Sequence, residues 1–341
     1  MVKNRYCVHY TLTMEFSYLQ QTAKFRKKFS FNKYLVYLER NYLLRIIENV
    51  GLILKRKCPS LHTPFHMNIK VGCNSDRLKP IVFVVPISLT IAIVGYLYSQ
   101  NALSVSRYIE IQKHGFFFLN AALSQFPNTE YNLTQLGDAL IFLSLLSIFI
   151  PYSPKLWEYL ISASLISAIA SWLLKQLFAV PRPAAVFDHS SFVIVGKTLS
   201  GNNSLPSGHA ITIFTTLTIL LFAFLPRRIS LRIPWIILLI LIGLSLSFSR
   251  VAIGAHYPLD VIIGGITGYL CAIAGIYIVQ RFKIWCWIAN KKYYPVLIAA
   301  LLVCCICIIN KIINENLIIF YFALIGLLAS GFKLVRSYVQ R

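Results

Sequence analysis

Two histidines and an aspartate in this sequence have the residue types and spacing needed for nucleophilic and acid–base chemistry. In "SRVAIGAHYPLD", residues 249–260, Asp260 follows His256 by four residues, so one helical turn can bring the carboxylate to the imidazole N–H. Such a carboxylate fixes the histidine tautomer and stabilises its cation, which leaves the other ring nitrogen free to attack or to take a proton. His209, at the start of another apolar run, can deliver a proton.

The stretch Pro206-Ser207-Gly208-His209 directly precedes that apolar run and predicts a helix N-terminus. The first backbone N–H groups of a helix lack intrahelical partners and lie at the positive end of its dipole, so they bind anions. Glycine at position 208 lets an anion approach the backbone closely. A Pro-Ser-Gly turn alone is more often a simple cap, so the assignment depends on the charges around it.

Three cations are expected near this turn. Lys175 and Arg182 are two helical turns apart, so they project from one face where Pro181 and Pro183 end an apolar segment. Arg250 ends another apolar stretch long enough to bring it to the same boundary. Taken alone, each of these cations could simply extend its side chain toward the lipid headgroups. Their convergence with the helix N-terminus instead favours a ligand with about two negative charges, such as a phosphate monoester.

The elements that must position these residues are membrane-spanning helices. Of 341 residues, 57% are hydrophobic and 13% are charged, a composition of long apolar runs rather than of a soluble core. Runs of the length that crosses a bilayer predict eight spans. They are Ile81–Tyr98, Leu133–Ile150, Tyr159–Val180, His209–Leu225, Ile233–Ala252, Val261–Val279, Pro295–Ile309 and Leu317–Gly331.

The distribution of Lys and Arg predicts the orientation. Basic residues concentrate before the first span, in alternate connections and in the C-terminal tail, so both termini are expected in the cytoplasm and the site residues at the outer face. The net charge of +22 follows from this topology and from attraction to an anionic inner leaflet, so nucleic-acid binding is not expected. The eight cysteines show no disulfide framework and no metal-site spacing.

Three motifs, taken in order, resemble the signature of the type 2 phosphatidic acid phosphatase (PAP2) superfamily: Lys175-x6-Arg182-Pro183, Pro206-Ser207-Gly208-His209 and Ser249-Arg250-x5-His256-x3-Asp260. The resemblance covers about residues 133–280. It implies a six-helix membrane core and hydrolysis through a phosphohistidine, with no metal and no cofactor. It also implies the roles: His256 is the nucleophile, Asp260 orients it and His209 protonates the leaving oxygen. The phosphoryl oxygens would be held by Lys175, Arg182, Ser207, Gly208 and Arg250.

The predicted fold is therefore an all-α integral membrane protein with a PAP2-type core and two additional C-terminal spans. Residues 1–79 form a basic cytoplasmic segment, either an amphipathic surface helix or a flexible tail, and Met67 is an alternative start. Residues 80–285 form the phosphatase domain, and residues 286–341 form a transmembrane hairpin with a basic tail.

The position of the site at the outer interface predicts an amphiphilic substrate whose phosphate lies at headgroup depth. Undecaprenyl pyrophosphate, phosphatidylglycerol phosphate, phosphatidate and lipid A phosphates all fit, and we expect a bacterial inner-membrane enzyme that acts at the periplasmic face. A lipid phosphotransferase, such as a lipid A-modifying enzyme, would use the same residues. An anion transporter is the alternative from another class, but it needs charges along a path through the bilayer, where spans four to eight are almost bare of ionisable groups. No partner protein is indicated.

Several polar residues near the site have two open interpretations. Asp138 either pairs with Lys175 or Arg182 or only bounds a helix. The loop between Pro183 and Pro206, with His189 and Lys197, is either a lid or a plain polar connection. The connection Ser99–Asn132 either lies along the membrane interface or caps the site.

Overall fold

The computed structural model describes residues 81–226, 228–282 and 284–340, and these ranges contain helices and loops but no strand. The predictions for residues 1–79, including the alternative start at Met67, lie outside the described residues. The α-helices of the described ranges are α1 (Ile81–Ser99), α2 (Val105–Leu123), α3 (Pro127–Thr134), α4 (Ala139–Leu146), α5 (Pro154–Phe178), α6 (Pro183–Val186), α7 (Gly208–Ala223), α8 (Ile229–Ala252), α9 (Pro258–Phe282), α10 (Tyr294–Glu315) and α11 (Ile318–Val339).

Six helices of the described ranges are long and apolar enough to cross a membrane, and a bent pair raises the number to as many as seven. They coincide with six of the eight predicted spans, and α7, at the fourth, is a shorter apolar helix. The all-helical, multi-pass membrane class is therefore confirmed. The count of eight and the cytoplasmic termini stay predictions.

The predicted second span, Leu133–Ile150, is not one continuous helix. A 3-10 turn (Gln135–Gly137) follows α3, the chain is extended at Asp138, and the helical segments on either side are bent by 78°. The cause is local: the Asp138 carboxylate accepts the Leu140 N–H at 2.9 Å, because aspartate caps a new helix better than it continues an old one. Its Oδ2 lies 2.9 Å from the Lys311 Nζ. Asp138 therefore bounds a helix and does not pair with Lys175 or Arg182.

Small residues let α9 pack closely against α7, the helix that begins with the Ser207-Gly208-His209 turn. A Cβ at Gly264 would lie 2.7 Å from the Ser207 carbonyl oxygen, and a Cβ at Gly268 would collide with that of Ile211. Glycines four residues apart are a common means of bringing two membrane helices into backbone contact. The Ser207 N–H donates to the Asp260 carbonyl at 3.0 Å, so the first turns of α7 and α9 are joined directly.

The C-terminal hairpin of α10 and α11 shares a hydrophobic core with the preceding helices. Phe320 and Leu327 of α11 belong to the same buried cluster as Ile141 of α4 and Leu160 of α5. The Ser330 hydroxyl also donates to the Ser147 hydroxyl beyond α4, at 3.0 Å. The hairpin is thus packed onto the bent α3–α4 segment.

Candidate active site

The eight predicted site residues come together from several elements. Lys175 lies in the last turn of α5 and Arg182 in the loop after it, the Ser207-Gly208-His209 turn begins α7, Arg250 is in the last turn of α8, and Asp260 is in the first turn of α9. His256 lies in the short turn between α8 and α9. The charges of Arg182, Arg250, Lys175 and His209 act on its imidazole.

Asp260 is fully buried, and three donors outside the predicted set bind its carboxylate. The Tyr108 hydroxyl donates to Oδ1 at 2.8 Å. The Ser204 hydroxyl donates to Oδ2 at 2.6 Å, and the Tyr257 N–H donates to Oδ2 at 3.0 Å. Three hydrogen bonds, shared over both oxygens, fix the orientation of this carboxylate.

His256 stands beside this carboxylate. Its Nδ1 is 3.6 Å from the Asp260 Oδ2 and 3.4 Å from the Ser204 Oγ, and its side chain is 1% exposed. Burial lowers the pKa of the imidazole well below its ordinary value, and the neighbouring cations lower it further. Near neutral pH the ring is therefore uncharged, the form whose free nitrogen lone pair can attack an electrophile.

The two arginines are held with their guanidinium groups inside the protein. Arg182 donates from Nε to the Asn203 Oδ1 at 2.6 Å and from one terminal nitrogen to the Ala255 carbonyl at 3.2 Å. Arg250 donates to the Thr134 hydroxyl at 3.1 Å, and its buried Nε has no partner among the described residues. Each arginine thus keeps unused donors, which a planar guanidinium can offer to phosphate oxygens.

Lys175 lies directly against the helix N-terminus, since its Nζ is 3.3 Å from the place where a Cβ on Gly208 would stand. Within the described residues, no carboxylate forms an ion pair with Lys175, Arg182 or Arg250. Like charges this close in a poorly solvated site destabilise a protein, and the charge of Asp260 offsets only part of their repulsion, so the cluster is suited to an anionic ligand.

His209 sits against the break between α3 and α4. A Cβ at Gly137 would lie 2.5 Å from the His209 Cβ, so only glycine leaves room for the imidazole there. The Ser207 hydroxyl accepts the Ala210 N–H at 3.4 Å as the cap of α7. Its own O–H remains free to donate to an anion.

Tyr108 and Ser204 are site residues that the sequence motifs did not reveal. Ser204 is two residues before the Pro206 turn, but no spacing rule connects it to Asp260. Tyr108 lies on α2, inside the connection Ser99–Asn132, and is separated from Asp260 by 152 residues. Because α2 packs Tyr108, Phe116 and Asn120 into the interior, part of this connection contacts the candidate site through Tyr108.

The two candidate polar residues between α5 and α7 have partners other than the eight predicted site residues. The His189 Nε2 is 2.9 Å from the Ala184 carbonyl of its own loop. The Lys197 Nζ is 3.4 Å from the Glu315 carboxylate at the end of α10. Both contacts fit a polar connection, the simpler of the two interpretations.

Residues 155–284 match the family model of the PAP2 superfamily, and this range contains all eight predicted site residues. The match covers less than half of the chain and leaves out α1 to α4 and the C-terminal hairpin. The crystal structure of Aquifex aeolicus LpxE is similar over 48% of this chain and 93% of its own, with 24% identity and a TM-score of 0.41. No curated protein matches the sequence. The family match confirms the predicted resemblance and the predicted phosphatase class.

Proposed function

We propose that this chain, whose residues 155–284 are a phosphatase segment of the PAP2 superfamily, hydrolyses a lipid phosphate or pyrophosphate through a phosphohistidine on His256. One observation carries the proposal. Three cations, which form no ion pair with a carboxylate in the part of the chain that the structure describes, lie around a buried, uncharged histidine that has a carboxylate at its Nδ1 side. Mere anion binding requires the cations but gives no role to the histidine–aspartate pair.

In the first step, the free ring nitrogen of His256 attacks phosphorus while the bond from phosphorus to the lipid oxygen breaks. His209 gives its proton to the departing oxygen, so the lipid leaves as an alcohol, or as a lipid monophosphate when the substrate is a pyrophosphate. Asp260 stabilises the positive charge that develops on the His256 ring.

In the second step, water attacks the phosphohistidine and gives a proton to His209, which restores both histidines and releases inorganic phosphate. Lys175, Arg182 and Arg250, with the Gly208 N–H and the Ser207 hydroxyl, hold the equatorial oxygens in both steps. These donors are in place before the reaction, so they stabilise the transition state without reorganisation.

The substrate follows from the place of the site at the ends of apolar helices. An amphiphile can keep its tails in the bilayer while its phosphate reaches the cations, as undecaprenyl pyrophosphate, phosphatidylglycerol phosphate, phosphatidate and lipid A phosphates do. The proposed location is the bacterial inner membrane, with the site at the periplasmic face. Transfer to a second lipid in place of water is the nearest enzymatic alternative.

Phosphate release by the detergent-purified protein, in EDTA, tests this function with a panel of the four lipids. His256→Ala should abolish release, whereas His114→Ala, at an exposed histidine of α2, should leave it unchanged. Loss of phosphate from one lipid with gain by another, without release, would indicate transfer. Release that His256→Ala retains would contradict the proposal.

A further inference from the structure

We propose that Tyr108 is a positioning residue of this active site, whose hydroxyl holds the Asp260 carboxylate in the rotation that turns Oδ2 toward His256. The inference rests on the proposed function. It assigns a role in the reaction to α2, which lies outside the segment that matches the family.

The two oxygens of the Asp260 carboxylate have different hydrogen-bond partners. A carboxylate rotates about its bond to Cβ unless each oxygen has its own partners. Oδ2, the oxygen near the His256 Nδ1, has two donors, the Ser204 hydroxyl and the Tyr257 N–H. Oδ1 has the Tyr108 hydroxyl at 2.8 Å as its side-chain donor in the described residues. Without that bond, Oδ1 is a buried acceptor that has no side-chain donor among the described residues. The orientation in which Oδ2 faces His256 is then no longer favoured over others.

Tyr108 keeps its proton for this bond. Burial raises the pKa of its hydroxyl well above the ordinary value, and the Asp260 charge raises it further. The phenol therefore keeps its proton near neutral pH and can donate it to the carboxylate. The side chain is 4% exposed, so water does not compete for the bond.

Buried polar contacts fix α2 in the place from which Tyr108 reaches the site. The Gln112 side-chain carbonyl accepts the Leu259 N–H at 2.8 Å, one residue before Asp260. The Asn120 amide donates to the Val251 carbonyl at 3.0 Å and accepts the Val193 N–H at 2.8 Å. One helix is thus bonded to the start of α9, to the end of α8 and to the loop before α7. These contacts make α2 a rigid support for one hydroxyl group.

Tyr108→Phe tests the inference, because it removes the hydroxyl and keeps the ring. We expect kcat for phosphate release to fall roughly 10- to 100-fold, the size of one lost hydrogen bond to a charged group. We expect KM to stay within about twofold, because Tyr108 bonds to none of the phosphate-binding residues. The matched control is Tyr269→Phe, which removes a 3.0 Å hydrogen bond to the Val82 carbonyl on α1, and it should retain the wild-type kcat.

A double-variant cycle separates positioning from a general loss of stability. Ser204→Ala removes a donor from the other oxygen of the same carboxylate. If both residues act by orienting Asp260, the combined variant should lose less kcat than the product of the two single losses. Losses that multiply, or a Tyr108→Phe protein with wild-type kcat, would overturn the inference. A lowered unfolding temperature with an unchanged kcat per folded molecule would show a purely structural role and overturn it equally. Phosphate release by the wild-type protein tests the proposed function separately.

Discussion

Arg250→Met is expected to lower activity and, at the same time, to stabilise the ligand-free protein. Arg250 is 5% exposed and donates one hydrogen bond to the Thr134 hydroxyl. Its positive charge is repelled by the charges of Arg182 and Lys175. Methionine fills a similar volume without charge. The substitution therefore removes two like-charge contacts from the protein interior and one cation from the phosphate site.

The two effects have opposite signs and can be estimated. At an effective dielectric constant near 20, two neighbouring like charges repel by on the order of 2 to 4 kcal/mol. Relief of two such contacts exceeds the loss of one hydrogen bond of a charged group, about 1.5 to 3 kcal/mol. We therefore expect the unfolding temperature of the ligand-free variant to rise by a few degrees. Loss of one donor to the transition state should lower kcat by roughly 10²- to 10³-fold.

The assay pairs phosphate release with thermal unfolding, in the absence and presence of inorganic phosphate. Phosphate should raise the unfolding temperature of the wild-type protein, because the native wild-type protein binds phosphate. It should have little effect on Arg250→Met, because the folded variant binds phosphate weakly. Arg107→Met removes a surface arginine that pairs with Glu110 and should change neither quantity. An Arg250→Met protein that is less stable than the wild type, or that keeps the wild-type kcat, would contradict the proposed place of Arg250 in a repulsive, phosphate-binding cluster.

Two further predictions concern the histidines. Gly137→Ala should impair phosphate release severely, because its Cβ would displace the His209 imidazole. The control Gly115→Ala, with no atom within 4 Å of its Cβ, should be active. Equal rates for both variants would contradict the placement of His209. Because the pKa of His256 is lowered in the folded protein, the unfolded chain binds more protons below about pH 6.5, and stability should fall as the pH drops from about 7 to 5. Thermal unfolding across this range should show a smaller fall for His256→Gln, and an identical fall would contradict the buried, uncharged state.

Local patterns in the sequence predicted two features of the candidate site. His256 and Asp260 are four residues apart, across the turn that begins α9, so short-range geometry brings the two side chains near each other. The position of the Ser207-Gly208 turn before an apolar run likewise predicted a helix N-terminus, and α7 begins at Gly208. These predictions succeeded because helix periodicity and capping are properties of neighbouring residues.

The contacts that the sequence did not predict are long-range or depend on one capping residue. Tyr108 and Asp260 are distant in the chain, and their contact depends on how α2 packs, which no local spacing encodes. The second predicted span was treated as continuous because its hydrophobicity is continuous. Asp138 interrupts it by capping a new helix, and its partner Lys311 comes from the C-terminal hairpin. Hydropathy measures transfer to lipid and does not detect such a break.

Trapping of the covalent intermediate would show whether His256 is the nucleophile. The wild-type protein, quenched within its first turnover of a radiolabelled lipid phosphate, should carry label that is stable to alkali and labile to acid, as a phosphohistidine is. The label should lie on the peptide that contains His256 and should be absent from His256→Ala. Label on any other residue, or turnover by His256→Ala at the wild-type rate, would contradict the account.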